Sequence, residues 1–281
     1  MNSNELKIKV VSDSSCDIAA PGDGEIFTAP LTISADGRDF IDDVNLDVHE
    51  MLDFLEKSKG RSFSACPNVE MWLKAFGDAD VIYCIAMTSA ISGTYNAACA
   101  ARDIYLQEHP NAKVYVKDTL STGPEQRLIA EKALELAKAK VPFEEACAEI
   151  EKYSSKTRLF FTLASLHNLA QNGRVSKIVA SAVGILSMKI VCTASSEGTL
   201  ETLGKHRGEK KAKTAILEHM KEAGYMGGKV AICHVENPSF AEEVKNAILE
   251  RFPKAGILVY PTRVLCGYYA ERGGLLVGCE C

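Results

Sequence analysis

None of the motifs that mark common metal, nucleotide or hydrolase sites occurs in this sequence of 281 residues. There is no C-x-x-C, H-E-x-x-H, Walker A, G-x-S-x-G or G-x-G-x-x-G pattern. The six histidines show no metal-ligand spacing. We therefore expect no metal and no cofactor, and the lack of a recognisable catalytic set favours a binding protein over an enzyme.

Long apolar runs and a targeting segment are absent as well. No apolar run approaches the ~20 residues of a membrane span, and residues 1–7 show no signal-peptide core. Most of the ten cysteines stand singly in apolar runs, as reduced thiols do in a cytoplasmic protein. The net charge of −5 argues against broad nucleic-acid binding. We expect a cytoplasmic protein without nucleic-acid partner or stable membrane insertion.

Apolar runs alternate with helical patterns in the first half of the chain. Strands are predicted at 8–12, 26–31, 81–86 and 114–117, and helices at 48–57, 69–76, 95–108, 125–138 and 143–153. This order predicts a parallel sheet covered on both faces. The chain length and a boundary near residue 156 indicate two domains, residues 1–156 and 157–281.

The second half adds an antiparallel element to the same alternation. Strands are predicted at 159–162, 229–235, 256–260 and 275–279, helices at 163–171, 176–183, 209–222 and 240–250, and a hairpin from 188–193 and 200–204. We expect an α/β fold class with two α/β domains. The N-terminal one has a mainly parallel sheet and the C-terminal one a mixed sheet.

The polar turn at 87–96 is the most informative segment, because it stands between a predicted buried strand and a helix of small residues. Its hydroxyl side chains belong to Thr88, Ser89, Ser92 and Thr94, and Gly93 permits close approach of the backbone. Free N–H groups and the helix dipole converge at such a turn. The turn therefore predicts a site for a small anionic head group.

Three other polar segments have similar character: residues 10–15 with Asp13 and Ser14, residues 62–67 with Ser64, Ala65 and Cys66, and residues 117–123. Loops at the carboxyl ends of parallel strands gather along one edge of a sheet, where ligands bind. The alternative for each segment is helix capping alone, which Ser, Thr, Asp and Asn perform in every kind of protein.

A thiol and two basic features also have two interpretations each. Cys66 precedes Pro67 and could be a nucleophile at a helix start, although a lining thiol is favoured without a histidine partner. Arg174 follows a helix end at Asn172-Gly173, where a cation also interacts favourably with the helix dipole. The basic residues within 205–211 form either a partner site or a solvated face.

Several motifs in a fixed order carry a family resemblance. They are S-D-S-S-C-D at 12–17, T-S-A-I-S-G-T-Y at 88–95, D-T-L-S-T-G at 118–123, L-H-N-L-A-Q-N-G-R-V at 166–175, M-K-I at 188–190 and G-K-H-R at 204–207. With them the chain resembles the DegV family of bacterial fatty-acid-binding proteins over nearly its full length. The resemblance implies two α/β domains of the EDD-type fold, with one long-chain fatty acid in the cleft between them.

The resemblance also implies which residues bind the fatty-acid carboxylate. The family uses the hydroxyl of its S-G-T loop and a Thr or Ser of its T-S-Q-P motif, which correspond here to Ser92 and Ser64. Residues 64–67 read S-A-C-P, so the hydroxyl is kept while the next two residues differ. Gly93 and Thr94 complete the expected carboxylate site. Further expected pocket or partner contacts are Asp13, Ser14, Ala65, Cys66, Ser89, Arg174 and Tyr269.

Some family members present the acyl group to a separate kinase, so the resemblance implies the catalytic subunit of a fatty-acid kinase as a partner. Arg174 matches the arginine of the family's G-R-[IV] motif. Tyr269 replaces a C-terminal histidine, and a neutral tyrosine offers no positive charge to a phosphoryl group. This departure leaves lipid binding unaffected and weakens the case for the kinase. The resemblance favours a monomer.

Two other functions stay open at this point. The first is a phosphoryl- or acyl-transfer enzyme that uses the same anion pocket, with Cys66, Arg174 or Tyr269 active. The second is a partner-binding subunit whose surface lies around Arg174 and residues 205–211. The apolar segment 178–188 is expected either to line the lipid tunnel or to pack as an interdomain helix.

Overall fold

The computed structural model describes residues 6–18, 25–163, 165–174 and 188–281. The helix expected at 176–183 lies outside these residues, as does the apolar segment 178–188 apart from Met188. The strands are β1 (Ile8–Asp13), β2 (Ile26–Ala29), β3 (Thr32–Ala35), β4 (Arg38–Ile41), β5 (Ser62–Ala65), β6 (Val81–Ala86), β7 (Lys113–Asp118), β8 (Thr157–Leu163), β9 (Met188–Ala194), β10 (Leu200–Arg207), β11 (Val230–His234), β12 (Ile257–Pro261) and β13 (Leu275–Glu280). The helices are α1 (Val48–Lys57), α2 (Val69–Phe76), α3 (Thr94–Glu108), α4 (Gly123–Lys138), α5 (Phe143–Ser154), α6 (His167–Gln171), α7 (Gly208–Glu222), α8 (Pro238–Arg251) and α9 (Val264–Ala270).

A four-stranded parallel sheet with the order β2-β1-β6-β7 forms the first half of the fold. All six residues of β6 are buried, as a central strand covered on both faces requires. Tyr83 and Ile85 pack toward α4 and α5, whereas Ile82 and Cys84 pack toward α2 and α3. The expected parallel sheet of the N-terminal half is therefore confirmed.

A second, antiparallel sheet with the order β4-β3-β5 was missed by the sequence patterns. Its four-residue strands are too short to show periodicity. The sequence signal in this region is a turn at Asp36-Gly37, where both residues have positive φ. Residues 62–65 were expected to be a loop, and this was wrong because they form β5. Ser64 is consequently held by a strand ladder, opposite Ile33 of β3.

The last sheet is mixed and six-stranded, with the order β10-β9-β8-β13-β11-β12. Strand β13 runs antiparallel to both β8 and β11, while β11 and β12 are parallel. This confirms the mixed sheet expected for the second half. The two-domain boundary at residues 156 and 157 stays a prediction, although the strands of this sheet all begin at or after Thr157.

Helix α9 was not predicted. The residues at its start connect the two halves of the fold. The backbone N–H of Arg263 donates to Asp17 Oδ1 at 2.7 Å, and the Arg263 guanidinium donates to Asp42 Oδ1 at 2.8 Å. Cys266 donates through its thiol to the carbonyl oxygen of Ser15 at 3.4 Å. A buried polar joint thus fixes α9 against the end of β1 and the loop after β4.

Two buried carboxyl groups, but only one guanidinium, belong to this joint. Asp17 and Asp42 are 4% and 2% exposed, and Oδ2 of each has no hydrogen-bond partner. Burial raises the pKa of Asp17 to about 7 and that of Asp42 to about 6, and the charge of Arg263 opposes the rise at Asp42. The guanidinium pairs with Asp42, whereas Asp17 accepts from a backbone N–H, so the two carboxyl groups together are inclined to hold a proton.

Replacing Asp17 by Asn should make the free energy of unfolding less dependent on pH. An unfolded Asp titrates near ~3.9, whereas the folded pKa is about 7. The folded state therefore binds the extra proton between these values, and its stability falls as pH rises through them. From about pH 5 to about pH 8, urea unfolding should show wild type losing ~1–3 kcal/mol more than Asp17→Asn.

The exposed carboxylate of Asp103 on α3 provides the matched control. Asp103→Asn should keep the wild-type dependence on pH, because this side chain pairs only with its neighbour Arg102 at the surface. A stability difference between Asp17→Asn and wild type that is equal at both pH values would contradict the assignment.

Candidate functional site

A cavity of about 300 Å³ lies between the two halves of the fold, a volume within the range of small-molecule sites. Most of its wall is apolar. The first half contributes Leu31, Met87 and Ile91, and the second half contributes Leu159, Phe161, Leu163, Leu169, Leu200, Leu265, Ala270 and Leu276. Buried residues from both halves belong to the same core cluster around this space. The cavity is therefore continuous with the hydrophobic core.

Most of the polar lining comes from three segments, with Thr122 and Arg174 as further members. Strand β5 and the residues after it bring Ser64 and Cys66, the turn before α3 brings Ser92 and Gly93, and α9 brings Tyr269. The Cys66 sulfur lies 3.4 Å from the point that a Cβ on Gly93 would occupy, so the first two segments adjoin. Gly93 is the N-cap residue of α3, whose first N–H groups have no partner within the helix.

Thr94 contacts the Ser92 hydroxyl and determines which of its hydrogen-bonding positions are occupied. Thr94 is fully buried, and its hydroxyl oxygen lies 2.7 Å from Ser92 Oγ. The Thr94 backbone N–H also donates to Ser92 Oγ, at 3.3 Å. When the Thr94 hydroxyl donates as well, both acceptor positions of Ser92 are filled. The Ser92 proton is then available to a group in the cavity.

Tyr269 stands in the same relation to Ser64. The two hydroxyl oxygens are 2.7 Å apart. Burial raises the pKa of Tyr269, the hydrogen bond with Ser64 and the charge of Arg174 oppose the rise, and the phenol stays protonated at neutral pH. A phenol that donates to Ser64 leaves the serine proton free to donate into the cavity.

Charge is nearly absent from the described lining. It contains one arginine, Arg174, and no aspartate, glutamate or histidine. Arg174 follows the end of α6, where Gly173 has φ of +70°, and its guanidinium donates to the carbonyl oxygen of Asn172. The predicted helix end at Asn172-Gly173 is confirmed. The polar lining is thus a set of neutral donors with one cation at its edge.

Four of the expected site residues lie outside the cavity lining: Asp13, Ser14, Ser89 and Thr94. The Asp13 carboxylate accepts from the backbone N–H of Met87 at 2.8 Å, and burial raises its pKa. Ser14 Oγ accepts from the backbone N–H of Leu31 at 2.9 Å. Both therefore position cavity residues from beneath. Ser89 is exposed, and its backbone N–H donates to Asp118. Ala65, Cys66, Arg174 and Tyr269 do line the cavity.

Helix α9 is a lining feature that sequence reasoning missed. Leu265 and Tyr269, like Cys266 and Ala270, are four residues apart on α9, and this spacing could have revealed a short helix. Thr122 lines the cavity from the polar segment 117–123, which was expected at this edge of the sheet. It is the N-cap residue of α4 but makes no side-chain cap bond, and its Oγ1 is buried without a partner.

The turn between β9 and β10 closes onto the loop that leads to Ser92. Thr88 Oγ1 donates to the carbonyl oxygen of Gly198 at 2.9 Å. Gly198 has φ of +76°, and a Cβ there would lie 2.1 Å from Thr88 Oγ1 and 3.1 Å from Leu120 Cα. Leu200, two residues on, lines the cavity. Only glycine fits this contact between the two halves.

These observations define a class of protein: two α/β halves that enclose one apolar cavity with a neutral, hydroxyl-rich polar lining. Comparison with known proteins assigns the family within that class. The model described as DegV family matches residues 7–278. The chain belongs to the DegV family.

Similar proteins cover nearly the whole chain. A DegV domain-containing protein of Streptococcus gordonii is 41% identical over 276 residues, which are 97% of this chain and 98% of that protein. A DegV family protein from Eubacterium eligens loaded with heptadecanoic acid is 50% identical, with a TM-score of 0.94 and coverage of 97% of this chain and 99% of that one. The fatty acid kinase B3 protein of Streptococcus pneumoniae loaded with linoleic acid is 39% identical, with a TM-score of 0.94 and coverage of 98% and 99%.

Neither a metal-ligand cluster nor a membrane-spanning helix is present among the described residues. They contain no cluster of three or more His, Cys, Asp or Glu side chains that could hold a metal ion. They also contain no helix that combines the length and the apolar character of a membrane span.

Replacing Gly198 by Ala should destabilise the protein more than the same change at Gly208. Both glycines have nearly equal positive φ, +76° and +78°, but a Cβ on Gly208 would meet nothing within 4 Å. Gly208→Ala should cost about 1 kcal/mol from backbone strain, and Gly198→Ala ~1–3 kcal/mol more from overlap with Thr88 and Leu120. Chemical unfolding of both variants measures the difference, and equal losses would show that the turn does not rest on the Thr88 loop.

Proposed function

We propose that this chain binds one long-chain fatty acid in the cavity between its two halves. The carboxylate accepts hydrogen bonds from the Ser64 and Ser92 hydroxyls and from the N–H group at Gly93, while Thr94 supports the site through its contacts with Ser92. The acyl tail lies along the leucine-rich wall. The observation that carries the proposal is the cavity itself. It combines an apolar wall with uncharged hydroxyl groups that can donate hydrogen bonds to a ligand. Relatives crystallised with heptadecanoic and linoleic acids support it.

The tail supplies most of the affinity in this proposal. Each buried methylene contributes about 0.8 kcal/mol, so a dozen of them give roughly 10 kcal/mol before costs. The loss of translational and rotational freedom and the ordering of the chain remove a substantial part of that gain. The head group then decides orientation, because a carboxylate buried without donors would be costly.

A carrier fits the lining better than the alternative, a phosphoryl- or acyl-transfer enzyme. General acid–base catalysis needs a titratable group within hydrogen-bond reach of the reacting atoms. The described lining offers no carboxylate and no imidazole for this, and no histidine of the described residues is hydrogen-bonded to Cys66. Cys66 and Tyr269 are accordingly assigned to binding.

We further propose that the bound fatty acid is presented to the catalytic subunit of a fatty-acid kinase. The support is the 39% identity to a fatty acid kinase B3 protein and the position of Arg174 at the polar lining. Charge reversal by Arg174→Glu should abolish co-purification with such a kinase while the lipid content stays unchanged. A variant that loses the lipid as well would assign Arg174 to the ligand instead.

Mass spectrometry of an organic extract from the gently purified protein tests the binding proposal directly. A long-chain fatty acid in equimolar amount is the expected result, and its mass gives the acyl length. An extract without fatty acid, from protein that also fails to bind one on addition, would overturn the proposal. Substrate-dependent turnover by the isolated chain would favour the enzyme.

Ser92→Ala should weaken fatty-acid binding by ~1.5–3 kcal/mol, the contribution of a hydrogen bond to a charged group. Isothermal titration calorimetry with a delipidated protein measures the change, and circular dichroism checks that the fold is kept. Ser89→Ala is the comparison, because Ser89 belongs to the same turn but is exposed and outside the cavity. Equal affinities for the two variants would remove Ser92 from the site.

The affinity should change little from about pH 6 to about pH 7.5, since the described lining has no His, Asp or Glu. Tyr269→His introduces a group that is cationic below about pH 6.5. This variant should bind the carboxylate more tightly at the acidic end and lose that advantage as pH rises. Tyr269→Phe, which cannot titrate, controls for the lost hydroxyl. A histidine variant with a flat profile would place residue 269 away from the head group.

A further inference from the structure

Two thiols outside the cavity form a contact that the proposed function does not use. Cys279 is the fifth residue of β13 and Cys281 follows its last residue. Their sulfur atoms are 3.6 Å apart, within the reach of an S–H···S hydrogen bond. All ten cysteines lie in the described residues, and no other two are recorded in such contact. Alternate residues of a strand point to the same side, which explains the pairing.

The spacing of the pair is compatible with a disulfide. Residues two apart on a strand have Cα atoms about 6.4–6.8 Å apart, at the upper end of the ~4.4–6.8 Å that disulfides span. Cys281 lies beyond the final position of β13, and its backbone N–H still donates to the carbonyl oxygen of Lys156. A disulfide at the upper limit of the spacing is strained, and strained disulfides are readily reduced.

The two thiols differ in environment as a nucleophile and a resolving thiol do. Cys279 is fully buried, and both its hydrogen bond with Cys281 and its burial raise its pKa. Cys281 is only half-buried. Donation from the Cys279 thiol, helped by the positive charge of Arg158, holds the pKa of Cys281 below its usual value against the effect of burial. Cys281 is therefore the more accessible and the more reactive thiol of the two.

We propose that Cys279 and Cys281 are a reversible dithiol–disulfide site that reacts with low-molecular-weight disulfides. The Cys281 thiolate attacks one sulfur of the small disulfide, breaks its S–S bond and releases a thiolate. The Cys279 thiol gives its proton to that thiolate and attacks the Cys281 sulfur of the mixed disulfide, which expels the second thiolate. The protein dithiol is oxidised to one disulfide, and one small disulfide is reduced to a thiol and a thiolate.

Oxidised glutathione is the probe for a first test on the native protein. After incubation, free thiols are alkylated and the protein is digested with trypsin, which yields residues 273–281 with both cysteines in one fragment. The expected result is a fragment that has lost two hydrogen atoms and takes up no alkyl group, and that reverts with dithiothreitol. Circular dichroism before digestion shows that the fold was kept during oxidation. A fragment with two alkylated thiols would overturn the proposal.

Variants test which thiol is the nucleophile and which is the resolving thiol. Cys279→Ser lacks the resolving thiol and should accumulate a stable glutathione adduct on Cys281. Cys281→Ser should show neither an adduct nor a disulfide in the fragment. Cys99→Ser is the matched control, because Cys99 is also half-buried but has no thiol in contact, and it should oxidise at 279 and 281 as wild type does. An adduct on Cys279 in the Cys281→Ser protein, at the wild-type rate, would contradict the assignment.

Discussion

A carboxylate that leaves water for an apolar cavity needs hydrogen-bond donors in return, and this requirement accounts for the construction of the polar lining. Hydroxyl groups can meet it only when their own acceptor sites are occupied, so that their protons point to the ligand. Thr94 can do this for Ser92, and Tyr269 can do it for Ser64. The hydrogen-bond partners of the two serines thereby decide whether the serines donate to the ligand.

The same requirement makes the relative position of the two halves of the fold important. Ser92 and Ser64 belong to the first half, while Tyr269 belongs to α9 of the second. A small rotation of one half would break the Ser64–Tyr269 pair. The ion pairs of Arg272 with Asp53 and Glu56 and the buried contacts of Arg263 oppose such a rotation. Buried polar contacts add little net stability, but their geometry selects one arrangement.

Much of the fold followed from local patterns, and the failures have a common physical cause. Val81–Ala86, Val48–Lys57 and Val69–Phe76 were predicted with their observed ends, because a buried strand shows an unbroken apolar run and a surface helix a clear periodicity. The short strands β3 to β5 and helix α9 are too brief for either signal. Their positions depend on contacts far along the chain, such as that of Ser64 with Tyr269, which no local window contains.

The near absence of charge among the described residues of the cavity lining is best understood through release of the ligand. A cationic clamp would hold a buried carboxylate by several kcal/mol more, and differences in affinity between related complexes appear mainly as slower dissociation. With neutral donors, the head group is oriented while the tail supplies most of the affinity and so most of the lifetime of the complex. Arg174, at the edge of the lining, then adds its charge near the head group without enclosing it. Such a site suits a protein that must give its ligand up.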